Sequence, residues 1–82
     1  MKIRLRKSAV KDLRKIDPKT KKRIHAKIQE LAQFPHVSNV KKLTNFEPAY
    51  RFRVGKYRIL FDVVEDRIEI SRVLHRKESY RM

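Results

Sequence analysis

Apolar residues recur along this chain with two different periods, and the switches between them mark its elements. From Lys2 to Arg6 every second residue is apolar, Ile3 and Leu5 on one face against Lys2, Arg4 and Arg6 on the other, as in a half-buried strand. Ser8 offers an N-cap for a short helix carrying Val10, Leu13 and Ile16 or Arg14 on neighbouring turns. Asp17-Pro18 repeats the start signal, a capping side chain followed by proline at the first helical position. From Pro18 to about Gln33 the residues Ile24, Ile28, Leu31 and Ala32 recur at helical spacing, while Lys19, Lys21, Lys22, Lys27 and Gln29 fall mostly outside that stripe. Two helices thus form a hairpin with a sharp joint at Asp17. Phe34-Pro35 ends the second, because the residue before a proline is pushed out of the α region.

Pro35 to Pro48 shows no clear period and reads as a loop, pinned to the core by Leu43 and Phe46. Alternation then returns. Tyr50 to Val54 and Tyr57 to Phe61 flank Gly55-Lys56, the pattern of a β-hairpin closed by a two-residue turn of type II′, whose first central position needs positive φ. In that register Val54 faces Tyr57, Arg53 faces Arg58 and Phe52 faces Ile59. Tyr50, Phe52, Val54, Tyr57, Ile59 and Phe61 share one face, and Arg51, Arg53 and Arg58 share the other.

A second reversal at Glu65-Asp66 leads into a last strand with Ile68, Ile70, Val73 and Leu74. A two-residue turn there pairs Val63 with Ile68, Phe61 with Ile70 and Asp62 with Glu69. The same register sets Val73 across from Arg58 and brings His75 to the face of the three arginines. The expected fold class is α+β: an N-terminal strand, a two-helix hairpin, then a three-stranded antiparallel meander, with the helices on one face of a twisted sheet and the arginine face open. Residues 1–82 read as a single domain.

Composition adds a partner to this outline. Among 82 residues, 23 are Lys or Arg and 9 are Asp or Glu, a net charge of +14 that exceeds what solubility requires and points to a polyanion or an acidic protein. Hydrophobic residues make up 40%, enough for one modest core. There is no cysteine, hence no disulfide, thiolate nucleophile or thiolate metal site. No stretch approaches the roughly 18 apolar residues of a membrane span, and the charged start is unlike a signal peptide, so a cytoplasmic location is the expectation.

Like charges opposite each other on a sheet destabilise it by up to roughly 1 kcal/mol, so Arg51, Arg53 and Arg58 on one patch suggest an anion that normally sits there. The plain alternative is three solvated arginines on an open face. Taken with the element order, the run Tyr57-Arg58-Ile59-Leu60-Phe61 and the ending Arg72-Val73-Leu74-His75-Arg76-Lys77-Glu78-Ser79-Tyr80-Arg81 resemble the RelE/ParE superfamily of bacterial toxins, the RelE branch more closely. The likeness covers essentially the whole chain, including Lys42-Leu43. It implies a RelE-like fold and cleavage of messenger RNA in the ribosomal A site. It also implies that the basic residues Arg51, Arg53, Arg58 and Arg76 act together with Tyr80. Two features depart from the family: the sequence stops soon after Tyr80, without the C-terminal helix of some members, and His75 stands where others carry lysine or another residue.

Metal-free RNA cleavage proceeds by attack of the 2′-hydroxyl on its own phosphate, with loss of the 5′-oxygen. It needs a base, an acid and cations around phosphorus. Arg53 and Arg58 suit the phosphate because a guanidinium donates in a planar fork. Arg51 and Arg76 flank them, and Lys56, Lys77 and Arg81 complete the RNA contacts. For proton transfer, His75 has the better unperturbed pKa, about 6.5, whereas Tyr80, at about 10, needs a cationic site or serves instead to stack on a base. No metal or cofactor is expected. Asp62 and Glu69 read as salt-bridge partners, and His25 and His36 as surface residues.

The partners implied are an acidic or amphipathic antitoxin, in a hetero-oligomer, together with messenger RNA and ribosomal RNA. Two other functions fit the same residues: a ParE-like inhibitor of DNA gyrase that cuts no RNA, and a non-catalytic basic RNA-binding module.

Overall fold

The computed structural model describes residues 1–45 and 47–79, so Phe46, Tyr80, Arg81 and Met82 lie outside the described residues. The order is β1 (Lys2–Leu5), α1 (Lys7–Arg14), α2 (Pro18–Glu30) with a 3-10 turn at Leu31–Gln33, β2 (Val40–Lys42), β3 (Tyr50–Val54), β4 (Tyr57–Val64), β5 (Arg67–His75) and α3 (Arg76–Ser79). The strands form one sheet in the order β1-β5-β4-β3-β2. The α+β architecture read from the sequence is therefore the observed one, with two additions. β1 runs parallel to β5, and the stretch expected as a loop contributes a short edge strand, β2, antiparallel to β3. A three-residue strand is too short to show a period. Phe34, Val37 and Val40 hold that region against the core, and half-buried Leu43 donates its N–H to the Ala49 carbonyl at 2.7 Å.

The helices begin for different reasons. Asp17 caps α2, its carboxylate accepting the Thr20 N–H at 3.0 Å, and that bond holds the Asp17 pKa below its ordinary value. α1 instead starts after Arg6, with no side-chain cap. Ser8, expected as that cap, lies inside the helix and donates its hydroxyl to the Ser71 carbonyl. One turn on, the Asp12 carboxylate accepts the Val73 N–H at 2.9 Å and two guanidinium bonds from Arg72 at 2.8 and 3.1 Å.

These α1 side chains meet β5 where its ladder breaks. Phe61 pairs with Ile70, but Leu60 pairs with Arg72, so Ser71 is an extra residue in a β-bulge. Backbone groups that the bulge removes from the ladder need other partners, and Ser8 and Asp12 supply them.

The core lies between the helices and one face of the sheet. Ala9, Leu13, Ile16, Ile24, Ile28 and Leu31 pack on Phe52, Val54, Ile59, Phe61, Ile68, Ile70 and Val73, all buried. Phe34, Tyr50 and Phe61 form an aromatic cluster with centroids 5.1 to 5.8 Å apart. On the opposite face Glu69 is buried at the β1–β5 edge, its carboxylate 3.1 Å from Arg6 and 3.7 Å from both Arg4 and Arg67. The expected ion-pair role of Glu69 holds. Asp62 differs, accepting the Ala49 backbone N–H at 2.6 Å.

Candidate functional site

The site is built on the β3–β4 hairpin. Its register is the expected one: Val54 opposite Tyr57, Arg53 opposite Arg58, Phe52 opposite Ile59. Gly55 has φ +55°, the left-handed conformation that a glycine adopts without the cost an L side chain would incur, and this lets the chain reverse in two residues. Arg51, Arg53 and Arg58 consequently stand on the face away from the helices, and Lys41, opposite Arg51 on β2, extends their row.

That face is not wholly polar. Leu60 lies opposite Arg51 and Leu74 opposite Arg58, and they are 1% and 5% exposed. The arginines thus rise from an apolar floor, where a bound anion is less screened than on an open polar surface.

The hairpin turn also holds one guanidinium and the main chain of a second arginine. A terminal nitrogen of Arg58 donates to the Gly55 carbonyl at 3.0 Å and to the Tyr57 carbonyl at 2.9 Å, which aims the guanidinium near the end of the hairpin. The main-chain N–H of Arg76 donates to the Lys56 carbonyl at 2.7 Å, so the segment after β5 is fastened to the same turn. Lys56, Arg76 and Lys77 are exposed there.

His75 does not join the arginines. The extra residue at Ser71 shifts the register by one, so Val73 faces Ile59 rather than Arg58, and His75 faces Tyr57. A one-residue shift moves a side chain to the other face of a sheet. His75 therefore lies on the helix side, its ring meeting Tyr57 edge to face at 5.5 Å and its Nδ1 accepting the Lys77 N–H at 3.3 Å. Tyr80 and Arg81 fall outside the described residues, and His25 and His36 are on the surface as expected.

The sequence did not point to Arg23 of α2 or to Lys41. The Arg23 guanidinium lies over the turn, within 3.7 Å of where a side chain on Gly55 would begin. Nothing in the helical stripe separates Arg23 from the other basic residues of α2. Lys41 would have emerged had β2 been legible. Among the described residues no group of three or more His, Asp or Glu gathers where it could hold a metal ion. The cluster can bind a phosphodiester through guanidinium forks and spread the charge that develops on it.

Comparison with known proteins agrees with this outline. Residues 3–80 match the family model described as "ParE toxin of type II toxin-antitoxin system, parDE". Toxin RelE3 of Methanocaldococcus jannaschii is 38% identical over 84 residues, covering 98% of this chain and 96% of that protein. Among solved structures, the RelB-RelE antitoxin-toxin complex from Methanococcus jannaschii matches with a TM-score of 0.77 at 36% identity, covering 94% of each chain. The isolated E. coli RelE toxin matches with a TM-score of 0.73 at 17% identity, over 98% of this chain and 95% of that one, a likeness of fold.

Proposed function

The chain belongs to the RelE/ParE superfamily as a RelE-family toxin of the type II toxin–antitoxin class, and from that premise we propose that it is a metal-independent endoribonuclease that cuts messenger RNA on the ribosome. The observation that carries the reading is the direct pairing of Arg53 with Arg58 on an exposed sheet face, beside Arg51 and above buried Leu60 and Leu74. Such an arrangement lowers stability unless an anion occupies it.

In the proposed reaction Arg53 and Arg58 grip the two non-bridging oxygens of the scissile phosphate. The 2′-oxygen attacks phosphorus, its proton leaves to a base, the P–O5′ bond breaks, and an acid protonates the departing 5′-oxygen, leaving a 2′,3′-cyclic phosphate. Arg76, carried by the segment fastened to the turn, supplies further positive charge as the phosphorane forms. Tyr80, four residues beyond Arg76, is the proton carrier on this reading, since His75 points to the other face of the sheet. Arg51, Lys56, Lys77 and Arg81 hold the flanking phosphates. The net charge of +14 supports a wider footprint on ribosomal RNA, and cytoplasmic action follows from that substrate.

The partner is a cognate antitoxin, supported by the structural match to a RelB-RelE complex. An acidic or amphipathic segment that orders on the basic face would neutralise the site by occupying it. The second reading, inhibition of DNA gyrase without RNA cleavage, draws on the ParE description of the matching family model.

Primer extension on a reporter messenger RNA separates the two. After brief induction of the wild type, Arg58→Ala and Tyr80→Phe, the nuclease gives new 5′ ends at codon-periodic positions, only when the reporter is translated, and Arg58→Ala abolishes them. Growth arrest with intact messenger RNA overturns the nuclease in favour of gyrase.

A further inference from the structure

The strand registers place Val54, Tyr57 and His75 in one row across the end of the sheet, on the side that faces the helices. Helix α2 lies over this row, and its apolar stripe runs out there. Ile28 and Ile24 are buried, but one turn earlier the stripe continues as half-buried Thr20 where a large apolar residue would complete the packing. The short side chain leaves space, and a cavity of about 480 Å³ opens between α2 and the row. We propose that this cavity is a binding site for a small aromatic carboxylate, separate from the arginine face, and that the bound ligand braces the segment that carries Arg76.

The inner end fits an aromatic ring. The volume lies within the roughly 300 to 1,000 Å³ of small-ligand sites, which combine apolar walls with a few directed polar groups. Ile24 and Val54, both buried, form the floor. Tyr57 and His75 meet edge to face at 5.5 Å and 80°, a corner that takes the face of a planar ring on one side chain and its edge on the other.

The mouth is cationic. Arg23 and Lys56 both line it, and among the described residues neither forms an ion pair, whereas Lys27, one turn further along α2, pairs with Glu30 at 3.1 Å. Two unpaired cations at the rim of an apolar cavity call for an anion whose other end is apolar. A carboxylate suits Arg23 because the guanidinium fork donates to both of its oxygens. The far side of the aromatic wall has the opposite sign, since Asp12 and Glu78 lie beyond Tyr57 and His75. The ligand is thereby oriented, ring inward and carboxylate at Arg23.

The cavity also touches both sides of a joint. Lys56 and His75 line it, and the Lys56 carbonyl accepts the Arg76 N–H at 2.7 Å while His75 Nδ1 accepts the Lys77 N–H at 3.3 Å. A ligand in contact with Lys56 and His75 spans that joint, and parting the joint breaks up the site. Whatever binds only the closed form stabilises it by mass action. None of these contacts uses the arginine face, which lies across the sheet, so the site stands whether or not the protein cuts RNA.

The test is an NMR titration of the isotope-labelled full chain with indole-3-acetate, and with indole and acetate as its separate halves. Indole-3-acetate is expected to shift the Thr20, Arg23, Tyr57 and His75 amides and to bind at least about tenfold more tightly than either half. Arg23→Gln, at an exposed position of α2, is expected to lose about tenfold in affinity. Thr20→Leu completes the apolar stripe and fills the cavity, so it is expected to abolish binding without lowering the melting temperature. With ligand at ten times its Kd, hydrogen exchange of the Arg76 amide is expected to slow about tenfold, because opening requires release. Equal binding of acetate would reduce the site to surface charge, and equal binding of indole would reduce it to an apolar hole; either overturns the proposal. So does an affinity unchanged in both variants. Unaltered exchange at Arg76 under saturating ligand would overturn the bracing.

Discussion

The main-chain N–H of Arg76 donates to the carbonyl oxygen of Lys56 across 2.7 Å, tying the segment after β5 to the turn between β3 and β4. The neighbouring Gly55 carbonyl accepts from the Arg58 guanidinium at 3.0 Å. Adjacent carbonyls of one turn therefore hold the Arg58 guanidinium and the main chain of Arg76, 18 positions further along the sequence. In the proposed reaction a guanidinium held in this way needs no rearrangement when the phosphate arrives.

The turn depends on Gly55, whose φ is +55°. A side chain there would meet Arg23 no closer than 3.7 Å, an ordinary contact, so the cost of Gly55→Ala is backbone strain of about 1 to 2 kcal/mol, not a clash. Chemical denaturation is expected to show that loss. RNA cleavage by the folded fraction is expected to fall further, by about tenfold or more, as both carbonyls move.

Arg58→Lys keeps the charge and loses the fork. Lysine can hold the phosphate as a point charge, but it cannot also bond the Gly55 and Tyr57 carbonyls in a fixed plane. Cleavage of a translated reporter is expected to drop by roughly 10² to 10³, with stability changed by under about 1 kcal/mol. Retention of full cleavage would show that charge alone suffices.

Glu69 sets the acid limb of stability. The hydrogen bond from Arg6 holds its pKa below the ordinary value of 4.5, aided by the charges of Arg6, Arg67 and Arg4, and opposed by burial. Asp62, directly opposite in the ladder, is the like charge it faces. A carboxyl depressed in the folded state stabilises it fully above the ordinary value, and that contribution disappears as pH falls through the folded pKa. Glu69→Gln is therefore expected to be less stable than the wild type at neutral pH, with the gap closing as urea melts are taken below about pH 4. An unchanged gap in acid would mean that packing, not charge, accounts for the difference.

What could be read from the sequence, and what could not, divides at Ser71. The β3–β4 register was legible because strict alternation surrounds the chain's only glycine, leaving one way to close the turn. Beyond Ile70 the run Ser71-Arg72-Val73-Leu74 places two apolar residues side by side, and a period of two cannot say which faces the helices. The structure buries both, Val73 at 3% exposure in the core and Leu74 at 5% on the arginine face. What decides between them is Asp12 on α1, a contact 61 residues away in sequence. β2 and the parallel placement of β1 were hidden for a similar reason, since edge pairing is a matter of tertiary contact.

Asp12 is accordingly expected to be more important than an exposed helical aspartate. Its carboxylate takes the Val73 N–H and the Arg72 guanidinium, and these bonds hold the Arg72 pKa above its ordinary value. Asp12→Ala leaves the Val73 N–H and the arginine without those acceptors and is expected to cost about 1 to 3 kcal/mol in a thermal or urea melt. A loss below about 0.5 kcal/mol would imply that water replaces the carboxylate at the bulge.

In the proposed reaction the bulge also bears on which residue moves the proton. With His75 turned to Tyr57 on the helix side, the sheet itself lies between its imidazole and the phosphate expected at Arg53 and Arg58. A general base must lie within a hydrogen bond, or one water, of the proton it takes, so placement outweighs the favourable pKa of a histidine. Tyr80→Phe, which keeps the ring and removes only the hydroxyl, is expected to slow single-turnover cleavage by roughly 10² to 10⁴. His75→Asn is expected to leave the rate at saturation with the wild-type dependence on pH. If His75→Asn instead removes a limb of that pH profile and Tyr80→Phe leaves the rate intact, the RNA must cross the end of the hairpin to react on the histidine side, and the arginine patch serves only to bind.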